Sequence, residues 1–506
     1  MITARALVLS AGDDVAVLTD DCDGGQAVEL PDGSTIVATD RTAAGHKIAL
    51  RVLPLGHRVR KYGQVIGRTT SQIRPGDHVH THNLSMDTGD RDHEFATDVR
   101  HPSRPSGPEP TFQGYRRADG RVGTRNYIGI VTSVNCSATT ARLIAQHFTP
   151  ALLGAYPHVD GVMALTHQSG CGIVGDSEGA QILVRTLRGY AEHPNFAAIL
   201  VLGLGCEMVT LDLLSGSLGA TVIDRLNIQD SGGVRSTVAL GIERITAMLP
   251  VIDAHDRAPS PASDLILGLN CGGSDGLSGI TANPALGLAS DRLVAWGGSS
   301  VLAETPEIYG AEHLLTRRAV DETVGRRLLA RLDWWQEYMR AGRGTLDNNP
   351  SPGNKAGGLT TILEKSLGAV AKGGSAPLVD VLEYGERVTR AGFSFMDTPG
   401  YDPVSVTGLI AGGANVVVFT TGRGSVFGCK PVPSIKVATN SALARRMPED
   451  IDIDAGTIVE GAQTMEQVAD AIFDRILSVA SGEKTVSEEI GAGQEEFVPW
   501  HIGAVT

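Results

Sequence analysis

The sequence lacks the features of a disulfide-stabilised, membrane-spanning or nucleic-acid-binding protein. Only six cysteines occur among 506 residues, too few for a disulfide scaffold. No run of about 18 uncharged apolar residues is present, so no segment is expected to span a bilayer. The 43 lysines and arginines are outnumbered by 57 acidic residues, and no basic block occurs. This balance argues against a nucleic-acid or anionic-membrane partner.

Aromatic residues are also scarce, whereas glycine is abundant. The chain has 10 Phe and 4 Trp against 62 Gly. Together with many short apolar runs, this composition favours α/β layers joined by tight turns. The first residues lack the basic start and long apolar run of a signal peptide. Because the low cysteine density also suits a reducing compartment, a cytoplasmic location is expected.

The hydrophobic pattern predicts three folded regions. Residues 1–85 contain short β-type runs broken by Gly and Asp turns, which predicts a small all-β module. Residues 86–111 lack periodicity and carry several prolines, so they are expected to form an extended, solvated linker. Residues 112–253 and 264–506 alternate continuously apolar strands with helices, the pattern of two α/β domains with largely parallel sheets. Residues 254–263 are a second candidate linker.

Cysteines follow three successive predicted strands of the second region. Cys136, Cys171 and Cys206 each come shortly after an apolar run. Because the carboxyl ends of parallel strands lie on one edge of a sheet, these thiols are expected to converge. A strand of the last region ends at Cys271. Each cysteine could instead be a small buried residue, but the repeated position favours a site for iron, zinc or an iron–sulfur cluster.

Oxygen ligands in the last region form a competing metal-site hypothesis. This site would use Asp275, Glu304 and the turn Thr420–Ser425, which follows an apolar strand. Backbone N–H groups of this turn and the side chain of Arg423 could also hold an anion. Carboxylates at strand ends often cap helices, and capping is the alternative for Asp275, Glu304 and Glu307. No Walker or dinucleotide-binding motif is present.

Three histidines occur at the end of the all-β module. His78, His80 and His82 alternate in sequence, so a strand would place them on one face. Such a row could bind a metal, act as a general acid or base, or contact a carboxylate. A solvated polar strand face is the alternative.

Four arginines lie between Gly114 and Asn126 in an otherwise acidic protein. Their guanidinium groups suit bidentate binding of a carboxylate. Arg121 and Arg125 are therefore candidates for substrate binding. Solvated surface charge or an ion-pair network is the alternative.

Motifs spread through most of the chain resemble those of the altronate/galactarate dehydratase family of sugar-acid hydro-lyases. They are GDHVHTHN (76–83), GYRRADGRVGTRNY (114–127), NCS (135–137), HQSGCG (167–172), GLGCE (203–207), NCGGSDGLSGITANPALG (270–287), AETPEIYGAEHLL (303–315), MDTPGYDPVSVTG (396–408) and FTTGRGSVFGCKPVPSIKVATN (419–440). Within the family, MDTPGYDP and GCKPVPSIK are closer to the altronate branch than to the galactarate branch.

The resemblance implies a specific architecture and reaction. It implies an N-terminal β-clip (SAF-like) module, a second α/β domain used for dimerisation and a C-terminal Rossmann-like domain. The implied protein is a homodimer that depends on ferrous iron, with manganese as a possible substitute. D-Altronate would lose the C2 proton and the C3 hydroxyl, giving 2-dehydro-3-deoxy-D-gluconate. The alternatives are dehydration of galactarate or a related lyase reaction on another hydroxy acid, and a non-catalytic sugar-acid sensor.

Motifs and resemblance together give the candidate site residues. The catalytic candidates are His78, His80, His82, Asp275 and Glu304. The candidates for binding a sugar acid are Asn83, Arg121, Arg125, Thr421, Arg423 and Lys430. The candidate metal ligands are Cys136, Cys171, Cys206 and Cys271.

Overall fold

The computed structural model describes residues 3–87, 89, 93–210, 214 and 222–503. A strand-rich N-terminal module is followed by two α/β regions with largely parallel sheets, so the predicted fold class is confirmed. Within the described residues, every helix is too short or too polar to cross a membrane.

The N-terminal module consists of short strands in two sheets. The strands are β1 (Ala4–Leu7), β2 (Val15–Leu18), β3 (Ala27–Glu29), β4 (Thr35–Val37), β5 (Lys47–Ala49), β6 (Arg58–Lys61), β7 (Gln64–Thr69), β8 (His78–Val79) and β9 (Leu84–Ser85). One sheet has the order β4-β3-β1-β2-β5-β8, and the other has the order β6-β7-β9. Glycines with positive φ, such as Gly33 and Gly63, occupy the tight turns between these strands.

The second region is built around a parallel sheet of order β13-β12-β14-β15. Its strands are β10 (Thr111–Arg116), β11 (Val122–Gly123), β12 (Tyr127–Thr132), β13 (Gly161–Leu165), β14 (Phe196–Gly203), β15 (Val222–Asn227) and β16 (Ala258–Pro261). Its helices are α1 (Ala138–His147), α2 (Pro150–Leu153), α3 (Glu178–Ala191) and α4 (Val234–Asp253). Strands β12 and β14 are buried along their whole length, because apolar clusters cover both faces of the sheet.

The predicted second linker is partly wrong. Ala258–Pro261 forms strand β16, which pairs antiparallel with Thr111–Gly114 of β10. Its two prolines are tolerated because β16 is an edge strand. Arg257 helps to hold this pairing by donating to the carbonyl of Gln113 at 2.7 Å. The segments that lead into and out of the second domain, β10 and β16, are therefore neighbours in one sheet.

The described part of the first linker contains no helix or strand, but it contacts the C-terminal domain. The described residues between 86 and 110 form neither helix nor strand. The backbone N–H of Ala96 nevertheless donates to the carbonyl of Thr316, and that of Asp98 donates to Arg317. The segment thus lies along the C-terminal domain, because its backbone groups find partners there.

The C-terminal domain contains a parallel sheet of order β19-β20-β18-β17-β21-β22-β23. Its strands are β17 (Ile266–Cys271), β18 (Ser299–Leu302), β19 (Leu378–Leu382), β20 (Gly392–Met396), β21 (Val416–Thr421), β22 (Ser434–Ala438) and β23 (Ile453–Asp454). Its helices are α5 (Ala282–Ala295), α6 (Glu312–Thr316), α7 (Glu322–Ala341), α8 (Pro352–Ala356), α9 (Ile362–Val370), α10 (Asp402–Ala411), α11 (Ser441–Arg446), α12 (Thr457–Glu460), α13 (Met465–Ala480) and α14 (Val486–Glu489).

The strand order places a crevice beside β17. Strand β17 is the first strand of this sheet along the chain. Strands β18, β20 and β19 lie on one side of it, and β21, β22 and β23 lie on the other side. In open parallel sheets, ligands bind outside the carboxyl ends of the strands at such a reversal point. The residues that follow β17, β18 and β21 therefore flank the expected ligand site.

Buried ion pairs attach the N-terminal module to the C-terminal domain. Glu364 of α9 accepts hydrogen bonds from Lys47 and Lys61 of the module, each with an N···O distance of 2.9 Å. All three side chains are almost completely buried. Burial alone would raise the pKa of Glu364, but the two ammonium groups outweigh burial and lower that pKa far below its usual value.

Backbone contacts at this interface are equally close. A Cβ atom on Gly276 would lie 1.9 Å from the carbonyl oxygen of Gly45, so only glycine fits there. One apolar cluster contains Val59 and Ile66 of the module together with Leu286 of the C-terminal domain. The module and the C-terminal domain therefore share one core.

Replacing Glu364 should detach this interface. Glu364→Gln leaves two buried ammonium groups without their carboxylate, and this is expected to lower the free energy of unfolding by about 3–5 kcal/mol. The matched control is Glu460→Gln, because Glu460 pairs with Arg445 where both side chains are about half exposed or more. That control should change stability by less than about 0.5 kcal/mol. Denaturant unfolding measures both, and equally small changes would refute the stabilising role of Glu364.

Candidate active site

A buried group of three potential ligands lies at the ends of two neighbouring strands. Cys271 is the last residue of β17, and Glu304 and Glu307 follow β18. One ligand atom from each lies within 4.8 Å of the other two. The sulfur of Cys271 is 3.5 Å from Oε2 of Glu304 and 3.6 Å from Oε2 of Glu307.

The backbone of Glu304 has an unusual conformation. Its φ of 73° and ψ of 67° lie in the left-handed region, which non-glycine residues seldom adopt. Its N–H donates to the hydroxyl of Thr398 at 2.8 Å, and its carboxylate accepts from the N–H of Cys271 at 3.3 Å. Such strain persists where the surroundings fix it, and it is common at functional sites.

Two buried lysines neutralise this group. The ammonium of Lys372 is 2.8 Å from the sulfur of Cys271 and 3.1 Å from Oε2 of Glu304. The ammonium of Lys365 is 2.6 Å from Oε1 of Glu307 and 2.9 Å from Oδ1 of Asn349. Lys365 lies on α9 and Lys372 in the short helical turn that follows it. One helical segment thus supplies both positive charges.

The acidic groups of the site have separated pKa values. Burial and then the charge of Glu307 raise the pKa of Glu304 to about 7. Burial acts in the same direction on Glu307, but Lys365 and Lys372 outweigh it and lower the pKa of this carboxyl. Burial and Glu304 raise the pKa of the Cys271 thiol. At neutral pH the site therefore holds an ionised carboxylate beside a carboxyl that readily gains or loses a proton.

A further carboxyl group lies beside the loop after β17. A Cβ atom on Gly272 would be 2.3 Å from Oδ2 of Asp402. Burial, followed by the charge of Glu307, raises the pKa of Asp402 to about 6. Asp402 can therefore carry a proton close to neutral pH.

The donor set of Cys271, Glu304 and Glu307 fits a divalent transition-metal ion. One thiolate and two carboxylates are ligand types that bind ferrous and manganous ions. Lys372 already bridges two of these donors, so an ion bound by all three would have to displace its ammonium group. Metal binding at these donors would therefore replace the contacts of Lys372 with Cys271 and Glu304.

Four histidine rings form a cluster at the interface of the module. The ring centroids of His46 and His78 are 5.1 Å apart, those of His46 and His80 are 5.2 Å apart, and those of His78 and His82 are 5.6 Å apart. Nδ1 of His46 is 3.0 Å from Nε2 of His78. These four residues are called the histidine cluster below.

The histidine cluster touches the C-terminal domain through helix α8. Nε2 of His46 is 3.2 Å from the carbonyl oxygen of Ala356, and Nε2 of His80 is 2.9 Å from that of Lys355. Helix α8 also contacts the loop after β17, because Asn354 donates to the carbonyl of Ser274 at 2.8 Å. The cluster and the loop after Cys271 thus contact the same short helix.

The predicted single strand through His78, His80 and His82 is wrong. Strand β8 ends at Val79, and the next residues form a turn. Asn83 holds this turn, accepting from the N–H of His80 and donating to the carbonyl of His78, both at 2.9 Å. The rings meet because the turn folds back. Asn83, a predicted sugar-acid ligand, is engaged in that turn.

The half-buried rings of the cluster are neutral at pH 7. Burial, and then the neighbouring ring of His46, lower the pKa of His78 to about 3. Burial also lowers the pKa of His80 to about 4. Neutral imidazoles can accept protons or bind metal ions.

A cavity of about 400 Å³ lies between the module and the carboxyl edge of the C-terminal sheet. Its lining includes Thr19 and Ala44 of the module and Arg423, Asn440 and Arg446 of the C-terminal domain. Exposed guanidinium groups at its wall can bind a carboxylate. The volume is in the range typical of small-molecule sites.

Two predicted site residues are saturated by protein partners. All five N–H groups of Arg125 donate to the carboxylate of Glu488 or to backbone carbonyls, so none remains for a substrate. Asp275 is buried and accepts from Ser278, Thr439, Asn440 and the backbone of Leu277. These bonds join the loops after β17 and β22. Both residues stabilise the domain architecture.

The remaining predicted ligands of the sugar acid lie in different places. Arg121 pairs with Asp119 at 2.6 Å and lines a cavity beside α3, away from Cys271. Thr421 is buried and accepts from the N–H of Gly424. Lys430 is half-buried next to Gly493. Of these candidates, Arg423 alone lines the cavity beneath the module.

The predicted metal ligands separate into two locations. Cys271 belongs to the buried group described above, whereas Cys136, Cys171 and Cys206 are exposed on the second domain. Among the described residues, the latter three do not all lie within 4.8 Å of one another. This spacing does not suit one tetrahedral ion with metal–sulfur bonds of about 2.3 Å. The buried group instead combines elements of the thiolate and oxygen-ligand hypotheses.

Sequence reasoning missed several residues of the site. Sequence patterns indicate Glu307 only as a possible cap, and they do not identify His46, Lys365 or Lys372 as site residues. The sequence contains one signal, because the segment Ile362–Val370 is mostly apolar and yet carries the charged pair Glu364 and Lys365. Charged residues inside an otherwise apolar helix require buried partners.

Comparison with known proteins gives one family along almost the whole chain. The Altronate/galactarate dehydratase SAF domain matches residues 4–87. The D-galactarate dehydratase/Altronate hydrolase second domain matches residues 114–253. The D-galactarate/Altronate dehydratase C-terminal domain matches residues 262–505. These matches confirm the resemblance drawn from the motifs.

Individual relatives cover nearly all of the chain. Altronate dehydratase of Escherichia coli (strain K12) is 39% identical over 483 residues, covering 95% of this chain and 96% of that enzyme. Galactarate dehydratase (L-threo-forming) of the same organism is 40% identical over 501 residues, covering 97% of this chain and 95% of that enzyme. Altronate dehydratase of Bacillus subtilis (strain 168) is 38% identical over 454 residues, covering 89% of this chain and 90% of that enzyme.

Proposed function

This chain belongs to the altronate/galactarate dehydratase family, and on that premise we propose that it converts D-altronate to 2-dehydro-3-deoxy-D-gluconate and water. The observation that carries the proposal is the buried group of Cys271, Glu304 and Glu307 with its two lysines. Buried groups with separated pKa values are typical of sites that move protons. The motifs MDTPGYDP and GCKPVPSIK favour altronate as the substrate.

The reaction requires stabilisation of a strongly negative intermediate. The C2 proton is weakly acidic because it lies next to a carboxylate, and its removal gives an enediolate. The ammonium groups of Lys365 and Lys372 place positive charge where this negative charge develops. Ferrous iron, or manganese in its place, held by Cys271, Glu304 and Glu307 would supply Lewis acidity at this position.

We assign the proton transfers to one side chain of the histidine cluster and one side chain of the C-terminal domain. His82 is exposed, and its ring has no hydrogen-bond partner within the described part of the chain, so an imidazole nitrogen is available to accept the C2 proton. Asp402, with a pKa of about 6, can donate a proton to the departing C3 hydroxyl, which leaves as water. The enol product then tautomerises to the 2-keto acid.

Substrate orientation is assigned to the cavity beneath the module. Arg423 and Arg446 line that cavity and suit the C1 carboxylate of a sugar acid. The module covers the carboxyl edge of the sheet and restricts the entry of water. Its attachment through Glu364 would thus serve catalysis by holding the histidine cluster against helix α8.

Galactarate is the second candidate substrate. The supporting observation is the 40% identity to galactarate dehydratase, equal within one per cent to the identity with altronate dehydratase. A non-catalytic sensor is the weaker alternative, because the dehydratase relatives match over nearly the full length of this chain.

A substrate panel tests the proposed function. Protein loaded with Fe²⁺ or Mn²⁺ under anaerobic conditions should form a 2-keto-3-deoxy acid from D-altronate. The expected kcat/KM for altronate exceeds that for galactarate and other aldonates by at least about tenfold, a difference of about 1.4 kcal/mol in transition-state binding. Turnover of galactarate without turnover of altronate would contradict the proposal.

The assignment of His82 predicts a selective loss of turnover. His82→Ala should reduce kcat by about 10²–10⁴-fold, the usual contribution of a general base, while Mn²⁺ affinity and melting temperature stay near the wild-type values. His101→Ala is the matched control, because His101 is an exposed histidine outside the cluster. Loss of Mn²⁺ binding in His82→Ala, or wild-type turnover, would refute the assignment.

A further inference from the structure

Three exposed thiols on the second domain have no role in the proposed active site. Cys136, Cys171 and Cys206 are exposed, whereas Cys22 and Cys429 are buried. Cysteine is among the residue types most often buried. Packing explains the two buried cysteines, but it does not explain why three thiols reach the surface.

The three thiols lie on loops that leave one edge of one sheet. These loops, residues 133–137, 167–174 and 204–209, are called the thiol loops below. They follow β12, β13 and β14, which are parallel neighbours in the sheet order β13-β12-β14. Because parallel neighbours deliver their carboxyl ends to the same edge, the topology brings the thiol loops together.

Hydrogen bonds join each thiol loop to another. The N–H of Asn135 donates to the carbonyl of Ser169 at 2.9 Å, and the N–H of Met208 donates to the carbonyl of Gly170 at 3.1 Å. The carboxylate of Glu207 accepts from the hydroxyl of Ser133 at 2.7 Å and from a backbone N–H of its own loop. The thiol loops therefore form one connected surface.

A glycine permits this close approach. Gly170 has a φ of 100°, and a Cβ atom there would lie 2.2 Å from the carbonyl oxygen of Ser133. A side chain at this position would both strain the backbone and push two thiol loops apart. The residue directly before Cys171 is thus adapted to bring its loop against the loop of Cys136.

The spacing of the thiols does not suit a single ion held by all three, and their chemistry suits an iron–sulfur cluster. Their sulfur atoms do not all lie within 4.8 Å of one another, whereas two thiolates on one tetrahedral ion are separated by less than about 4 Å. An iron–sulfur cluster is larger than a single ion, and cysteine thiolates are its usual protein ligands. Soft thiolates also disfavour magnesium and calcium.

We propose that Cys136, Cys171 and Cys206 bind an iron–sulfur cluster of the four-iron type, at a site separate from Cys271, Glu304 and Glu307. Three thiolates would hold three of its irons and leave the fourth without a protein thiolate. The three thiols lose their protons when the cluster binds. The half-exposed side chains of Val174 and Met208, each 52% exposed, lie on the thiol loops and would limit the access of water to the cluster.

Sulfide analysis tests this site independently of turnover. The protein is reconstituted anaerobically with ferric iron, a thiol reductant that supplies the two electrons needed per cluster, and inorganic sulfide, and bound iron, acid-labile sulfide and visible absorption are measured. Wild-type protein should retain about four sulfides per chain and show thiolate-to-iron absorption. Cys136→Ser, Cys171→Ser and Cys206→Ser should each lose the sulfide. Because these thiols are exposed, the variants and the wild type should have the same far-UV circular dichroism and melting temperature before reconstitution, when neither holds a cluster.

Two control variants distinguish this site from the active site. Cys22→Ser changes a buried cysteine of the module, and Cys271→Ser changes the proposed active site, so both should retain the sulfide. Wild-type protein without acid-labile sulfide, or with iron but no sulfide, would overturn the proposal. Full sulfide in all three thiol-loop variants would also overturn it. Bound sulfide is measured independently of altronate turnover. The cluster site and the proposed dehydratase function can therefore each be refuted without refuting the other.

Discussion

The buried carboxylate of Glu364 is the interaction on which the arrangement of the site depends. It lies between Lys47 and Lys61 of the N-terminal module, and a buried charge of this kind is tolerated only when its partners are in place. The next residue, Lys365, pairs with Glu307. Adjacent residues of helix α9 thus bind the module and the candidate active site. The module cannot move without disturbing the helix that supplies positive charge to that site.

This arrangement explains why a site rich in charge can be buried. Two ammonium groups offset two carboxylates around Cys271, and His78 and His80 of the histidine cluster add no further charge at pH 7. In a poorly solvated setting such charges act strongly on a bound anion. The strained backbone of Glu304 indicates that the surrounding elements hold this carboxylate in one position. In the proposed mechanism, that preorganisation stabilises the enediolate.

Sequence patterns identified the parts of the site that depend on strand ends. Cys271 and Glu304 were found because each follows a continuously apolar strand. Glu307 was missed because a carboxylate in a turn is usually a cap, and only packing reveals its pairing with Lys365. Likewise, Arg125 resembles a free arginine in sequence, but distant carbonyls occupy its donors. Contacts between distant segments are not encoded in any local pattern, so these assignments required the structure.

The most direct test of the account is the position of a bound metal ion. Crystals grown with Mn²⁺ and D-altronate, measured with X-rays near the manganese absorption edge, would locate the ion by its anomalous signal. The account predicts one peak within bonding distance of Cys271, Glu304 and Glu307, with the ammonium of Lys372 displaced from the sulfur. A peak among the rings of the histidine cluster, with none at the carboxyl edge of the C-terminal sheet, would contradict it.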